Sequence, residues 1–174
     1  VLSDTKEAQE RWGWLKWIPH TRAILQGENN RRLAFNSSTI DKSLEWLGVE
    51  FNKRKNPEVG VKKRNESRSA IVVILDDSGD IRQSSDVKQL AEFGHETNIY
   101  LIFVGGKFWP RECRARIDTT ENDFTYMETF AGEKGGTKIS GTIDPASLLD
   151  CERYSRGIAG LELSSGKGNG ELPE

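Results

Sequence analysis

Ala70-Ile71-Val72-Val73-Ile74-Leu75-Asp76-Asp77 is the stretch that decides how this chain folds. Its first six residues are apolar and rich in β-branched side chains, with no polar alternation. A strand with one wet face alternates; an unbroken apolar run predicts a strand buried on both faces, as at the centre of a parallel sheet. A second such run follows, Ile99-Tyr100-Leu101-Ile102-Phe103-Val104. Between the two, Ser84 or Ser85 is placed to cap a helix reaching about Glu96, with Val87, Leu90, Ala91 and Phe93 as its apolar positions. Strand, helix and strand make a β-α-β unit, and a right-handed crossover makes its two strands parallel.

Working outward, Ser3 is a cap candidate for a helix through residues 4–17, with Asp4 and Glu7 near its positive end. A polar loop, Gln26 to Arg32, leads into a short strand, Arg32 to Asn36. Ser37, Ser38 and Thr39 offer caps for a helix over about 40–55, where Ile40, Leu44, Leu47 and Phe51 recur on one face. Residues 56–68 are charged and read as a loop. Beyond the second apolar run, Lys107 to Pro110 begins a loop or helical turn through Cys113. Arg116–Asp118 and Phe124–Phe130 read as strands, the second with Phe124, Tyr126, Glu128 and Phe130 on one face. Gly132–Gly136 is a turn into Lys138–Gly141. Asp144 then caps a helix with Pro145 in its first position, Leu148, Leu149, Tyr154 and Ile158 as apolar positions, and Gly160 near its end. The expected fold is a three-layer α/β domain, mainly parallel, with antiparallel edge strands. Residues 1–32 form a tryptophan-rich N-terminal helix and loop, 33–163 the α/β body, and 164–174 a Gly/Ser-rich flexible linker.

The chain has 174 residues, enough for one domain with a real core. Lys and Arg number 25 against 27 Asp and Glu, so no basic excess points to nucleic acid. The local basic stretch from Lys53 to Arg64 reads as a solvated loop beside a helix end. No run approaches the roughly 18 apolar residues of a membrane helix, and no signal peptide is expected at the N-terminus. Cys113 and Cys151 lie far apart with no Cys or His close to either, which rules out a zinc knuckle and predicts reduced thiols. His20 and His95 are isolated from each other in sequence, so no metal site is expected from them.

Chemistry concentrates at Asp76-Asp77. An apolar strand ending in an acid pair is the Walker B pattern of P-loop ATPases, in which one carboxylate meets magnesium and the next acid polarises water. Magnesium bound so sparingly also needs phosphate held nearby. The phosphate cradle, G-x-x-x-x-G-K-[ST], occurs nowhere in the sequence; Gly132-Glu-Lys-Gly-Gly-Thr-Lys138 has the composition without the spacing. Acids at the end of a parallel strand also serve as turn and helix-entry residues, and that plainer reading stays open. A third reading takes Asp76, Ser78 and Asp80 as the D-x-S-x-[polar] loop of a metal-dependent adhesion site, as in von Willebrand A domains. Cys113 is flanked by Arg111, Arg114 and Arg116, which would lower its pKa if exposed, but no histidine is near in sequence to serve as its base, and a buried or incidental thiol is the expected reading.

The N-terminal segment Trp12-Gly13-Trp14-Leu15-Lys16-Trp17-Ile18-Pro19-His20 carries three of the five tryptophans. Either it is a short anchor helix packed on a globular body, or it is a docking surface for another domain or chain. Its W-x-W-x-K-W-hydrophobic-P-H pattern resembles the stretch after the membrane anchor in the FtsK/SpoIIIE-type ATPases of type VII secretion systems, EccC and EssC. The order of the rest is similar to theirs: a helix near 40–55, Ile71 to Asp76, Ile99 to Val104, Trp109-Pro-Arg-Glu-Cys-Arg-Ala115, a strand pair, Asp144-Pro145, and Gly170-Glu-Leu-Pro-Glu174 leading towards a motor domain. Trp109 stands where that family favours Leu, and the Gly27–Arg32 loop is only loosely alike.

The resemblance implies the domain between the membrane segment and the first ATPase domain, with a degenerate ATPase (RecA/FtsK-like) fold on the cytoplasmic face of the plasma membrane. It implies a structural, non-hydrolysing coupling role, with no catalytic residue and no metal or cofactor of its own. Asp76 and Asp77 are the Walker B-like pair, and Mg-ATP held by them is the alternative. Implied partners are the adjacent ATPase domain, other membrane-complex subunits and, through the parent protein, WXG100-class substrates. Trp12, Trp14, Trp17, His20 and Trp109 are the interface candidates.

Overall fold

The computed structural model describes residues 1–21, 32–56, 69–76, 79–105, 110–128 and 136–161. The chain divides into two compact units. The larger holds Val1–Glu10 and Ala34–Pro145; the smaller holds Arg11–Leu33 and Ala146–Glu174.

The larger unit is mixed α/β, with one parallel and one antiparallel sheet. Strands β1 (Ile71–Asp76) and β2 (Ile99–Val104) run parallel, in register from Ile71 opposite Ile99 to Asp76 opposite Val104. The parallel arrangement extends beyond β1 by two single-residue bridges, Leu2 to Leu75 and Leu2 to Ala34. The Leu2 N–H donates to the Ile74 carbonyl at 2.9 Å, and the Asp76 N–H donates back to the Leu2 carbonyl at 3.0 Å. The spatial order is therefore Ala34, Leu2, β1, β2.

Helix α2 (Ser37–Lys55) buries Ile40, Leu44, Leu47 and Phe51, the stripe that its sequence spacing predicts. Its cap is Asn36, one residue ahead of the three candidates. The Asn36 side chain accepts from the Thr39 N–H at 3.0 Å, and the Thr39 hydroxyl oxygen accepts from the Asn36 N–H. A short helix α3 (Asp80–Gln83) precedes α4 (Ser85–Phe93), whose cap is Ser84, accepting from the Val87 N–H at 3.2 Å. A 3-10 turn, Gly94–Thr97, then leads to Asn98, in the left-handed region at φ 57°, and into β2. Val73, Leu75 and Ile99 form one core with the apolar faces of α2 and α4.

That core covers only one face of the parallel strands. Val72 is 56% exposed, Tyr100 45% and Ile102 48%; Val72 lies opposite Tyr100, and Ile74 opposite Ile102. The expectation of burial on both faces is thus corrected. The apolar run reports two apolar faces, and only one of them is roofed by α2 and α4. The antiparallel strands are also placed differently. β3 (Ala115–Thr119), β4 (Asp123–Glu128) and β5 (Lys138–Thr142) form a separate meander, not an edge of the parallel sheet, among the described residues. Phe124 lies opposite Gly141, where a Cβ would sit 2.8 Å from the ring.

Other boundaries are corrected as well. Ser3 does not cap a helix; it is fully buried in an extended segment, its N–H donating to the Ala34 carbonyl at 2.9 Å. The helix expected over 4–17 is α1 (Ala8–Trp12) followed by 3-10 turns at Gly13–Trp17 and Pro19–Thr21. Glycine at 13 weakens α-helix propagation, and Pro19 ends the segment. The strand expected over Arg32–Asn36 shrinks to the bridge at Ala34.

In the smaller unit, helix α5 (Leu148–Ile158) packs on the turn Gly13–Trp17. It starts at Ser147, not Asp144: the Ser147 hydroxyl oxygen accepts from the Asp150 N–H at 3.1 Å, while the Asp150 carboxylate accepts from the Ser147 N–H. This reciprocal box satisfies two terminal donors, which Asp144-Pro145 does not match. Ser155, fully buried, is the inward side of α5; Leu148, Leu149 and Tyr154 are exposed. No described helix is long and apolar enough to cross a membrane.

Candidate functional site

Ligands of open parallel sheets bind at the carboxyl ends of the strands, and this is where β1 presents Asp76. The residue is 3% exposed, its backbone held by the bridge to Leu2. Beyond it, Gly79 takes φ 118°, a conformation natural to glycine, and so permits the abrupt entry to α3. Asp80 is exposed in the first turn of α3. Asp77 and Ser78 lie outside the described residues, so neither the acid pair nor the adhesion-type triad can be assembled from the described side chains. Among the described residues no group of three or more His, Cys, Asp or Glu side chains gathers as a metal site. Among the described residues, Asp76 is the one buried carboxylate at this end of the sheet.

Arg82 closes the same end of the sheet. Its guanidinium donates to the Val104 carbonyl at 2.7 Å and the Gly105 carbonyl at 3.1 Å, and lies 5.5 Å from the centre of the Phe103 ring. It therefore fixes the exit of β2, at a point where Gly105 turns with φ 67°. Arg54 does the equivalent work at the opposite end. It pairs with Glu50 at 2.7 Å and donates to the carbonyls of Ser69 (3.1 Å) and Thr97 (3.0 Å), tying α2 to the entries of both strands. The Glu50–Arg54 spacing of four was a readable signal for part of this role; nothing in the sequence marked Arg82.

Cys113 is the part-buried thiol of the plainer reading. Its thiol is raised above the usual value, first by burial and then by Glu112, with Arg82 opposing them. The neighbouring arginines of the sequence do not make it a ready nucleophile. Arg116 is instead paired with Asp118 at 2.7 Å. Tyr126 is likewise raised, by the hydrogen bond its hydroxyl donates to Glu128 at 2.7 Å.

The interface candidates fall in different places. Trp12, Trp14 and Trp17 are all half-buried, and His20 is exposed on the turn Pro19–Thr21. The Trp14 indole N–H donates to the Arg11 carbonyl at 3.0 Å. Trp17 carries the Arg156 guanidinium 4.4 Å from its ring centre and Lys16 at 5.3 Å, while its indole nitrogen is buried without an acceptor. Trp17 is thus an anchor within the smaller unit. Trp109 lies outside the described residues. No family model, curated protein or solved structure matches the chain.

Proposed function

We propose that this chain is the non-hydrolysing coupling domain of a membrane-anchored type VII secretion motor, lying between the membrane segment and the first ATPase domain on the cytoplasmic side. The observation that carries the reading is the ordered series from Trp12–His20 through Ile71–Asp76 and Ile99–Val104 to Glu112-Cys113, in a sequence with no phosphate-loop motif. An acid-tipped strand inside a parallel β-α-β unit suits a retired ATPase fold, and a three-layer arrangement belongs to this proposal. Its partners are the adjacent motor domain and the membrane complex, with WXG100-class proteins handled by the parent chain.

A second reading, that Asp76 and Asp77 still hold Mg-nucleotide, is favoured by the burial of Asp76 at the ligand-binding end of the strand. Steady-state phosphate release separates the two. The coupling role predicts no ATP turnover by pure protein; turnover that is lost in both Asp76→Ala and Asp76→Asn would overturn it. Magnesium alone is a cheaper discriminator, since an ion held only by the folded state must raise the melting temperature.

A further inference from the structure

We propose that the outer edge of β2 is a docking groove for one extended peptide strand carrying a carboxylate side chain. Three observations converge on it, and none depends on the coupling role.

The first is the backbone. The Ile71 N–H donates to the Asn98 carbonyl at 2.9 Å, with Ile71 opposite Ile99. In a parallel ladder this phase turns the amides of the even-numbered β2 residues towards β1, and those of Leu101 and Phe103 outward. No described strand pairs with that edge. A paired edge is the ordinary fate of such a row of donors and acceptors, and proteins blunt the edges they leave open. This one is not blunted: Tyr100 and Ile102 are exposed and no charged residue interrupts the strand.

The second is shape. A groove of about 420 Å³ runs along β2. Its lining includes Leu101 and Phe103 of β2 and the paired residues Ile117 of β3 and Tyr126 of β4. Ile117 belongs to β3, which is itself the edge strand of the meander. The meander therefore presents a face to the groove, and an added strand would gain backbone partners on β2 and side-chain contact with Ile117 and Tyr126.

The third is charge. The Arg114 Nη2 lies 3.1 Å from the His95 Nε2, and both residues line the groove. A guanidinium only donates, so the imidazole nitrogen is the acceptor in this contact. Arg114 has no carboxylate partner among the described residues, whereas Arg116 in the same wall is already paired with Asp118. A guanidinium held by His95 beside an open strand edge suits a single peptide carboxylate, which would form a charge-assisted hydrogen bond. Glu112, also in the wall, disfavours a second acid beside the first.

The test uses a fluorescent nonapeptide, Thr-Val-Thr-Val-Glu-Val-Thr-Val-Thr, and versions with Gln or Lys at the centre, titrated by fluorescence anisotropy. The Glu peptide is expected to saturate, with the Lys peptide weaker by about tenfold or more. Arg114→Glu, an exposed substitution, is expected to reverse that order. N-methylation of alternate peptide bonds is expected to abolish binding, and the largest amide shifts in NMR spectra should fall at Leu101 and Phe103. Absence of saturation up to about 1 mM would overturn the proposal. So would equal affinity for the three peptides, or a dimer in sedimentation that the Glu peptide does not dissociate, which would make a second copy the occupant. Peptide binding is read without nucleotide, so its failure leaves the coupling role untouched.

Discussion

Strands β1 and β2 and strands β3 to β5 are of similar length, yet they hold their places by different means. The parallel pair is roofed on one side by α2 and α4, and Leu75 there is 0% exposed. No residue of the described meander strands is buried, and Ile117 and Ile139 are more than half exposed. A parallel pair cannot close on a tight turn; it needs a crossover helix, which brings apolar cover with it. A meander needs only turns, and an antiparallel sheet can leave one face to water. Stability of the larger unit should therefore be concentrated in the parallel half.

The largest expected effect tests this contrast directly. Leu75→Ala should cost about 2–5 kcal/mol in urea unfolding, because it opens a cavity under α2 and α4. Ile139→Ala, on the exposed meander, should cost less than about 1 kcal/mol. Equal losses would mean that both sheets share one core.

Two glycines sharpen the comparison. A Cβ at Gly94 would lie 2.6 Å from the Ile99 carbonyl oxygen, a backbone atom that begins β2. A Cβ at Gly141 would lie 2.8 Å from the edge of the Phe124 ring, which can swing aside. Gly94→Ala is accordingly expected to lower stability by about 1–3 kcal/mol. Gly141→Ala should stay within about 1 kcal/mol of the parent. Thermal unfolding of the two variants checks the order, and a larger loss at Gly141 would break it. In the middle of α2, Gly48 meets nothing within 4 Å. Gly48→Ala should stabilise by about 0.5–1 kcal/mol, since alanine loses less backbone entropy in a helix.

The smallest effect lies at the groove wall. With its thiol raised by burial and Glu112, Cys113 should alkylate with iodoacetamide more slowly than a free cysteine peptide. Glu112→Gln removes the negative neighbour, favours the thiolate and should speed the reaction. No change would mean that burial alone governs the thiol.

Much of the parallel half was legible in the residues. The two apolar runs became β1 and β2, the stripe Ile40, Leu44, Leu47, Phe51 became the buried side of α2, and Ser84 became a cap. The bare sheet face was not legible. Val72, Tyr100 and Ile102 are as apolar as their covered neighbours, and a run with no alternation carries no sign of which face is roofed. Caps misled where two candidates competed. Asp144-Pro145 looked like a helix start, but Ser147 with Asp150 three residues on satisfies two backbone donors at once. At the candidate site, an acid at the end of β1 was readable from sequence, because strand polarity and the first acid after the run place it there. Arg82 was not, because its partners are backbone carbonyls 22 and 23 residues away, which leave no mark on residue type.

The most direct test of the central claim, an acid-tipped parallel strand that no longer serves a nucleotide, is calorimetric titration of the chain with ATP in excess magnesium, beside Asp76→Asn. The account predicts no saturable heat from either protein. Saturable binding by the parent that Asp76→Asn loses would contradict it and make this end of the sheet a working nucleotide site.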